Sequence, residues 1–261
     1  MSKHVYKSLP LDENGDAHYS KEENQTWEFL LNRQSSLIEN RATKEFIKGI
    51  EILNFKNSIP QHYEITKILN SYTGWGVEPV PALIQPELFF TLLANKKFPA
   101  ANFIRIPKDI DYIMEPDVFH ELFGHCPLLT VTPYAEFMYE FGKMALTVDE
   151  KLKRRLFRLF WFTIEFGLMK TDQGFRAYGG GILSSKSEII YSVESNIPER
   201  NKLEPMTALL TPFRIDILQP VYYYVESYDE LFKLMDLNLI NLAKESLKLP
   251  DLPAKFEKKK K

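Results

Sequence analysis

The chain has 261 residues, of which 44% are hydrophobic, and its 33 basic and 35 acidic residues give a formal net charge of −2. This length is sufficient for one large domain, and the near-neutral charge argues against nucleic acid as a partner. A single cysteine, Cys126, excludes an internal disulfide and fits a reducing compartment, so we expect a cytoplasmic protein. The longest apolar run, residues 159–169, is too short to span a bilayer, so we expect no membrane partner.

The first third of the chain predicts an arm, two helices and a long loop. Residues 1–19 are mostly polar without a periodic apolar face, which predicts an N-terminal arm. Residues 20–23 have the Ser-x-x-Glu form of a capping box, and apolar residues then follow at helical spacing. A second helical pattern covers 46–53. Glycine and proline are dense over 72–86, which predicts a loop of substantial length.

The remaining pattern is mainly helical. We expect a short strand at 103–106, a helix that carries His120 with Asp117 as its N-cap, a helix over Lys151–Met169 opened by a capping box at 147–150, a turn at 179–181, a strand at 221–225 and a helix at 227–237. Helical patterns outnumber strands, so we expect a mainly α fold with a small β component. We expect one catalytic domain over 20–250 and a solvated basic tail over 251–261.

Two histidines and one acid are candidate metal ligands. His120 and His125 are five residues apart, and Glu165 interrupts an apolar run. Two imidazoles and one carboxylate form the ligand set of a mononuclear non-haem iron(II) oxygenase site. Residues i and i+5 of a regular helix differ by roughly 140° in direction, so the spacing predicts that the helix ends at Gly124, before Pro127.

Other interpretations of these residues remain open at this point. Glu165 could form an ion pair with an arginine of its own helix, at position 154, 155 or 158. A zinc hydrolase could also use two histidines and a glutamate, with Glu121 as general base, although zinc peptidases of the His-Glu-x-x-His type need an i, i+4 pair. A non-catalytic binding protein, in which the polar trio braces a core, is a third alternative.

Four segments resemble a known family. Residues 115–128, 161–168, 177–185 and 219–223 are similar, in this order, to the iron-binding, third-ligand, substrate-loop and late segments of the pterin-dependent aromatic amino acid hydroxylases. The resemblance covers roughly residues 20–237. It implies a single catalytic domain of that type, Fe(II) held by the two histidines and the glutamate, and a tetrahydropterin cofactor. The implied reaction is hydroxylation of L-phenylalanine to L-tyrosine with O2.

The resemblance also implies two binding surfaces. Phe89 would stack on the pterin, and the residues around that cofactor would be Val80, Leu83, Ile84 and Glu121. Arg105 would pair with the substrate carboxylate, a task suited to a planar guanidinium, and the other substrate residues would be Tyr112, Trp161, Gly181 and Ser184. A core phenylalanine and a structural arginine are the alternative interpretations of Phe89 and Arg105.

Several positions bear on specificity and assembly. Ile113 replaces a threonine of mammalian members, and Pro86 replaces a serine near the pterin. Ile215 stands where tyrosine-specific members place an acid, which favours phenylalanine over tyrosine, although Asp216 follows directly. A hydroxylase that acts mainly on tryptophan or tyrosine is the alternative. The short N-terminal arm and the absence of a long terminal helix predict simple kinetics in a monomer or small homo-oligomer.

Overall fold

The computed structural model describes residues 6–257, and predictions for 1–5 and 258–261 lie outside this range. The fold is 52% helical with 12% strand, which confirms the expected mainly α class. The helices are α1 Lys21–Ile38, α2 Lys44–Leu53, α3 His62–Thr73, α4 Pro86–Leu93, α5 Thr132–Leu146, α6 Glu150–Phe160, α7 Gly180–Leu183, α8 Lys186–Glu194, α9 Pro205–Leu210, α10 Tyr228–Lys233 and α11 Leu239–Ser246. The strands are β1 Gly76–Val80, β2 Lys97–Ala101, β3 Gly167–Thr171, β4 Gly174–Ala177, β5 Glu199–Lys202 and β6 Val221–Val225.

Short 3₁₀ and π-helical segments complete the secondary structure. Three 3₁₀ segments cover Pro107–Asp109, Cys126–Thr130 and Leu234–Asp236. Two π-helical segments cover His120–His125 and Trp161–Glu165. Each π-helical segment therefore contains candidate metal ligands, in keeping with the frequent occurrence of such segments at functional sites.

Three predicted helix starts are confirmed by side-chain caps. Ser20 accepts a hydrogen bond from the Glu23 backbone and completes the capping box of α1. Ser227 caps α10, since its side chain accepts a hydrogen bond from the Glu230 backbone. Asp117 accepts a 3.0 Å hydrogen bond from the backbone of His120 and so caps the helical segment that carries the first histidine.

The predictions for 72–86 and 103–106 are wrong. The region predicted as a loop contains β1, which pairs in parallel with β2 from Gly76↔Lys97 to Val80↔Ala101. Residues 103–106 carry no strand, because β2 ends at Ala101. The pairing of β1 with β2 joins residues about twenty positions apart, which local composition does not reveal. The loop that remains, between Val80 and α4, borders the cavity described below.

The predicted helix over Lys151–Met169 is shorter than expected. Its N-cap is Asp149, which accepts a hydrogen bond from Leu152, so the capping box does not begin at Thr147. α6 runs into the second π-helical segment, and the chain turns at Gly167 into β3. A Cβ atom at Gly167 would lie 2.2 Å from both the Thr163 carbonyl oxygen and the Tyr178 ring, so only glycine permits this sharp exit.

The second sheet has the strand order β4-β3-β6-β5 and confirms the predicted strand at 221–225. β3 and β6 are parallel, and β4 closes an antiparallel hairpin with β3. α5 packs against α4 and α10 and buries Phe137 and Phe141 in the main core. The predicted turn at 179–181 is instead the start of α7, with Gly179 as the N-cap and Gly180 and Gly181 as the first two helical residues. No helix among residues 6–257 is both long and apolar enough to cross a bilayer.

Both ends of the described range, residues 6–257, contact the rest of the domain. Ser8 donates a hydrogen bond to the Val80 carbonyl, which anchors the N-terminal arm beside β1. At the other end, Asp251 pairs with Arg155 and Arg158, and the backbone of Leu252 bonds to α9. Residues 251–257 are thus anchored although mostly exposed, in contrast to the expected solvated tail. The Lys258–Lys261 run lies outside the described residues.

Candidate active site

The first π-helical segment brings the two histidines together. His120 and His125 are the first and last residues of this segment, and their Nε2 atoms are 3.2 Å apart. A π-helix bonds residue i to residue i+5 and therefore places these positions one above the other. The prediction that the helix ends at Gly124 is wrong for this reason, because the chain continues through Gly124 in a wider helix.

The second π-helical segment brings Glu165 to the same point. The backbone of Phe166 bonds to the carbonyl of Trp161, five residues earlier, which swings Glu165 inward at the end of α6. Its Oε2 atom lies 3.4 Å from His125 Nε2 and 3.7 Å from His120 Nε2. Ligand atoms bound at about 2.0–2.2 Å to one metal ion lie roughly 3.0–3.4 Å apart. Two of the three separations, 3.2 and 3.4 Å, lie in this range and the third, 3.7 Å, is slightly longer, so the trio can hold a single ion after a small side-chain adjustment.

Two carboxylates compete for the third ligand position. Glu121 also has a carboxylate oxygen within 4.8 Å of ligand atoms on both histidines. Glu165 approaches the imidazole nitrogens more closely, and its pKa is held below the usual value because the two imidazoles outweigh the effect of burial. Burial raises the pKa of Glu121, and the charge of Glu165 raises it further. Glu165 is therefore the better anionic ligand.

Glu165 does not pair with either of the two nearest arginines on α6, in contrast to the alternative interpretation. Arg155 and Arg158 both pair with Asp251 on the outside of the domain. Arg158, in addition, donates to the backbone carbonyl of Leu209. The acid is thus directed towards the histidines.

A hydrogen bond fixes the tautomer of His120. Ser184 Oγ lies 2.8 Å from both His120 Nδ1 and the Gly180 carbonyl oxygen. The carbonyl can only accept, so the single hydroxyl proton goes to Gly180, and His120 Nδ1 must donate to Ser184. Nε2 then presents its lone pair to the centre of the trio. Burial also lowers the pKa of His120 to about 4, which keeps the ring neutral at pH 7.

His125 is held by packing. Its side chain is 1% exposed, and its ring lies 4.9 Å, centroid to centroid, from that of Phe98. On another side the backbone of Gly180 approaches so closely that a Cβ atom there would be 2.3 Å from His125 Cε1 and 2.5 Å from Nε2. The glycine-rich start of α7 therefore supports the second histidine directly.

Substituting Gly180→Ala should displace His125. The new methyl group cannot fit against the buried ring, so we expect ferrous-ion affinity to fall by about 10–100-fold. The check is metal titration under anaerobic conditions with Gly74→Ala as the control, because Gly74 has a positive φ of 76° but nothing within 4 Å of its Cβ position. The control should lose stability and keep its metal affinity, and equal affinities in both variants would contradict the packing argument.

The trio lies beside a cavity of about 1090 Å³. Its lining includes all the predicted site residues except His125. They are Val80, Leu83, Ile84, Phe89, Arg105, Tyr112, His120, Glu121, Trp161, Glu165, Gly181 and Ser184. The structure therefore brings the predicted residues to one place, with the volume expected of a small-molecule site.

Arg105 lies at the cavity wall in a buried ion pair. Its Nε and Nη2 atoms each donate 2.8 Å hydrogen bonds to Asp117, which also accepts from the Arg105 backbone. Asp117 is fully buried and its pKa is nevertheless lowered, because the charge and hydrogen bonds of Arg105 outweigh burial. The carboxylate thus links Arg105 to the backbone of His120, a connection that the sequence did not reveal beyond the N-cap.

Trp161 belongs to a stack of aromatic rings. Its ring stacks with Phe166 at 4.5 Å and with Phe213 at 4.4 Å between centroids. Its indole nitrogen donates to Gln219, 3.4 Å away. At the cavity mouth Tyr112 is 53% exposed and donates to the Ile215 carbonyl oxygen. The resemblance had indicated Trp161 and Tyr112 but not Phe166, Phe213 or Gln219.

Comparison with known proteins identifies the family. Residues 10–246 match the model of the biopterin-dependent aromatic amino acid hydroxylases. The chain belongs to this family. It is 48% identical over 245 residues to the phenylalanine-4-hydroxylase of Pseudomonas aeruginosa, covering 94% of this chain and 93% of that protein.

Solved structures of the family share the fold. The phenylalanine hydroxylase of Legionella pneumophila is similar with a TM-score of 0.93 and 47% identity, covering 96% of this chain and all of that one. The phenylalanine hydroxylase of Chromobacterium violaceum, in a structure with bound oxidised Fe(III), has a TM-score of 0.89 and 37% identity, with 94% and 89% of the two chains covered. The resemblance inferred from the four segments is confirmed, and the single domain is the catalytic domain of a biopterin-dependent aromatic amino acid hydroxylase.

Proposed function

We propose that this hydroxylase converts L-phenylalanine to L-tyrosine with O2 and a tetrahydropterin, at a ferrous ion held by His120, His125 and Glu165. The observation that carries the proposal is the convergence of three ligand atoms, 3.2–3.7 Å apart, beside a cavity of about 1090 Å³. Relatives named as phenylalanine hydroxylases support the choice of substrate.

The donor set supports iron as the metal. Two neutral imidazoles and one carboxylate on one face leave about three positions of an octahedral ion open. A bound ferrous ion would supply O2 activation, with two electrons from the pterin, so that one oxygen atom enters the ring and the other is reduced. The residues of this chain hold the ligands in position: Ser184 orients His120, and Gly180 and Phe98 pack on His125.

One side of the cavity supports pterin binding. Phe89, at the fourth position of α4, is held nearly perpendicular to Phe90 and Phe160, with centroids 5.3 and 5.5 Å away. A ring fixed in this manner loses little freedom when a flat cofactor stacks on it. Val80, Leu83, Ile84 and Glu121 border the same cavity and complete the proposed pterin surface.

Other residues of the same cavity support binding of an amino acid. Asp117 occupies the Nε and Nη2 atoms of Arg105, whereas Nη1 has no hydrogen-bond partner within residues 6–257. Arg105 itself borders the cavity. We infer that Nη1 receives the substrate carboxylate. Trp161, Gly181 and Tyr112 would line the position of the aromatic ring and its entrance.

The environment of Ile215 favours phenylalanine over tyrosine. Ile215 borders the cavity, and the neighbouring Asp216 forms a bidentate pair with Arg214 at 2.9 Å. A carboxylate held by an arginine is a weaker acceptor for a phenol hydroxyl than an uncompensated one. Tyrosine therefore gains little at this position, and a ring without a hydroxyl is the better substrate.

An anaerobic reconstitution tests the proposal. The protein is loaded with ferrous ion and mixed with tetrahydrobiopterin, with air and with phenylalanine, tyrosine or tryptophan, and the products are separated by chromatography. We expect tyrosine from phenylalanine, with no product when any one component is omitted. Faster turnover of tryptophan would contradict the choice of substrate, and tyrosine formed without O2 would contradict the monooxygenase reaction. Family membership does not favour the zinc hydrolase alternative.

A further inference from the structure

A zwitterionic substrate needs an anionic partner as well as Arg105. A free amino acid carries an ammonium group beside its carboxylate, and burying an unpaired ammonium is costly. Several of the acids that border the cavity are already paired. Asp111 pairs with Arg33, Asp216 with Arg214, and Glu150 with Lys153.

Two other acids at the cavity have separate roles. Glu165 faces the two imidazoles, and Glu121 lies beside it in the proposed metal and pterin region.

Glu188 differs from all of these, because no lysine, arginine or histidine of the described chain forms a salt bridge with it. It borders the cavity although its side chain is only 5% exposed.

The two carboxylate oxygens of Glu188 have different environments. Oε1 accepts a 2.9 Å hydrogen bond from the Gln219 backbone and another from the Tyr222 hydroxyl. Oε2 receives no hydrogen bond from residues 6–257, and it is not among the atoms sealed from solvent without a partner. Since Glu188 borders the cavity, Oε2 is the oxygen that an entering ligand can reach.

The backbone around Glu188 explains why this acid faces the cavity. Ser185-Lys186-Ser187-Glu188 has the form of a capping box, and Ser185 does accept from the Glu188 backbone. In a complete capping box the Glu188 side chain would accept a hydrogen bond from the Ser185 amide. That amide instead donates to the Ile182 carbonyl, so the Glu188 carboxylate does not form this bond. Gln34 holds this turn by donating to the Leu183 and Ser185 carbonyls.

Glu188 also lies near the residues that position the substrate. Ser184, four residues earlier, bonds to His120, and Gln219, which donates to Glu188 Oε1, accepts from the Trp161 indole. The acid thus belongs to the same wall as the proposed metal ligand and the proposed ring pocket. Burial raises the pKa of Glu188 to about 7, which shows that its charge lacks a compensating cation.

We propose that Glu188 Oε2 binds the α-ammonium group of the amino acid substrate, whose carboxylate binds Arg105; both residues border the same cavity. This assignment rests on the proposed function and adds to it a determinant of amino acid recognition. It predicts discrimination against molecules that keep the phenyl ring and lack the amine, because these leave a buried carboxyl without its cation.

The test compares Glu188→Gln with the wild type. The amide oxygen of glutamine can still accept from Gln219 and Tyr222, so the wall keeps its shape, while the negative charge is lost. We expect the KM for L-phenylalanine to rise about 10–100-fold with kcat changed only a few-fold. The inhibition constant of 3-phenylpropanoate, which lacks the amine, should stay within about threefold of the wild-type value, whereas phenethylamine should bind about 10–100-fold more weakly.

Tyr222→Phe is the matched control, because it removes a hydrogen bond to Oε1 and leaves Oε2 untouched. The control should preserve the ratio of the affinities for L-phenylalanine and 3-phenylpropanoate. If Glu188→Gln also preserves that ratio, or weakens both ligands equally, Glu188 only supports the wall and the assignment is overturned. Failure of the proposed function is distinct, since the wild type itself would then form no tyrosine.

Discussion

Replacing Glu165 with alanine is expected to lower kcat/KM for phenylalanine hydroxylation by about 10³-fold or more, because a metal-centred step worth several kcal/mol loses one of its three ligands. Ferrous-ion affinity should fall in the same variant. The fold should survive, since alanine is a better helix former than glutamate and the residue ends a helical segment. Anaerobic metal titration and tyrosine formation measure the two effects, and circular dichroism checks the fold.

Glu121→Ala is the matched control for this prediction. Both acids lie near the imidazoles, but the Glu165 carboxylate is the one 3.4–3.7 Å from the Nε2 atoms. We expect the control to keep its ferrous-ion affinity within about tenfold of the wild type, as for a residue outside the ligand set. The reverse pattern, with iron lost in Glu121→Ala and retained in Glu165→Ala, would make Glu121 the third ligand.

Local signals in the sequence predicted three helix starts correctly but placed the start of α6 at Thr147, whereas its N-cap is Asp149. A cap depends on residues three positions apart, so Ser20, Asp117 and Ser227 could be found by inspection. The pairing of β1 with β2 could not be found in this way, because α4 separates the two strands and neither strand shows a clear alternation of polar and apolar residues. The end of α6 was missed because Gly167 is required by contacts with Tyr178, which folding alone brings close.

The candidate site was predicted in composition but not in geometry. The residues that line the cavity came from the resemblance to the family, whereas spacing alone gave a wrong helix end at Gly124. A π-helical segment differs from an α-helix by one inserted residue and has no distinctive composition. The hydrogen bonds around the site could not be predicted either, because the residues that form them are far apart in the sequence. Ser184 is 64 residues from His120, and Glu188 is 34 residues from Tyr222. The adjacent Ser184-Ser185 pair and the acid three residues later were the available signals.

Substituting Asp117→Asn should lower the free energy of unfolding by about 3–5 kcal/mol, because it leaves the charge of Arg105 buried without a counter-ion. Arg105 is 4% exposed and Asp117 is fully buried, so water cannot replace the lost partner. The same change should raise the KM for phenylalanine, since Asp117 holds Arg105 in place at the cavity wall. Urea unfolding and steady-state kinetics measure the two effects.

The pH dependence and an exposed aspartate provide the checks on this last prediction. The folded pKa of Asp117 lies below its unfolded value of about 3.9, so its stabilisation is complete above that pH and is lost as the pH falls through the folded pKa. The loss of unfolding free energy in Asp117→Asn, relative to the wild type, should therefore be largest at neutral pH and become smaller below about pH 4. Asp251→Asn makes the same change at a 41% exposed side chain that pairs with Arg155 and Arg158, and it should cost no more than about 1 kcal/mol. Similar costs at both sites would show that the Arg105–Asp117 pair is as accessible to water as the exposed one, which would contradict its structural role.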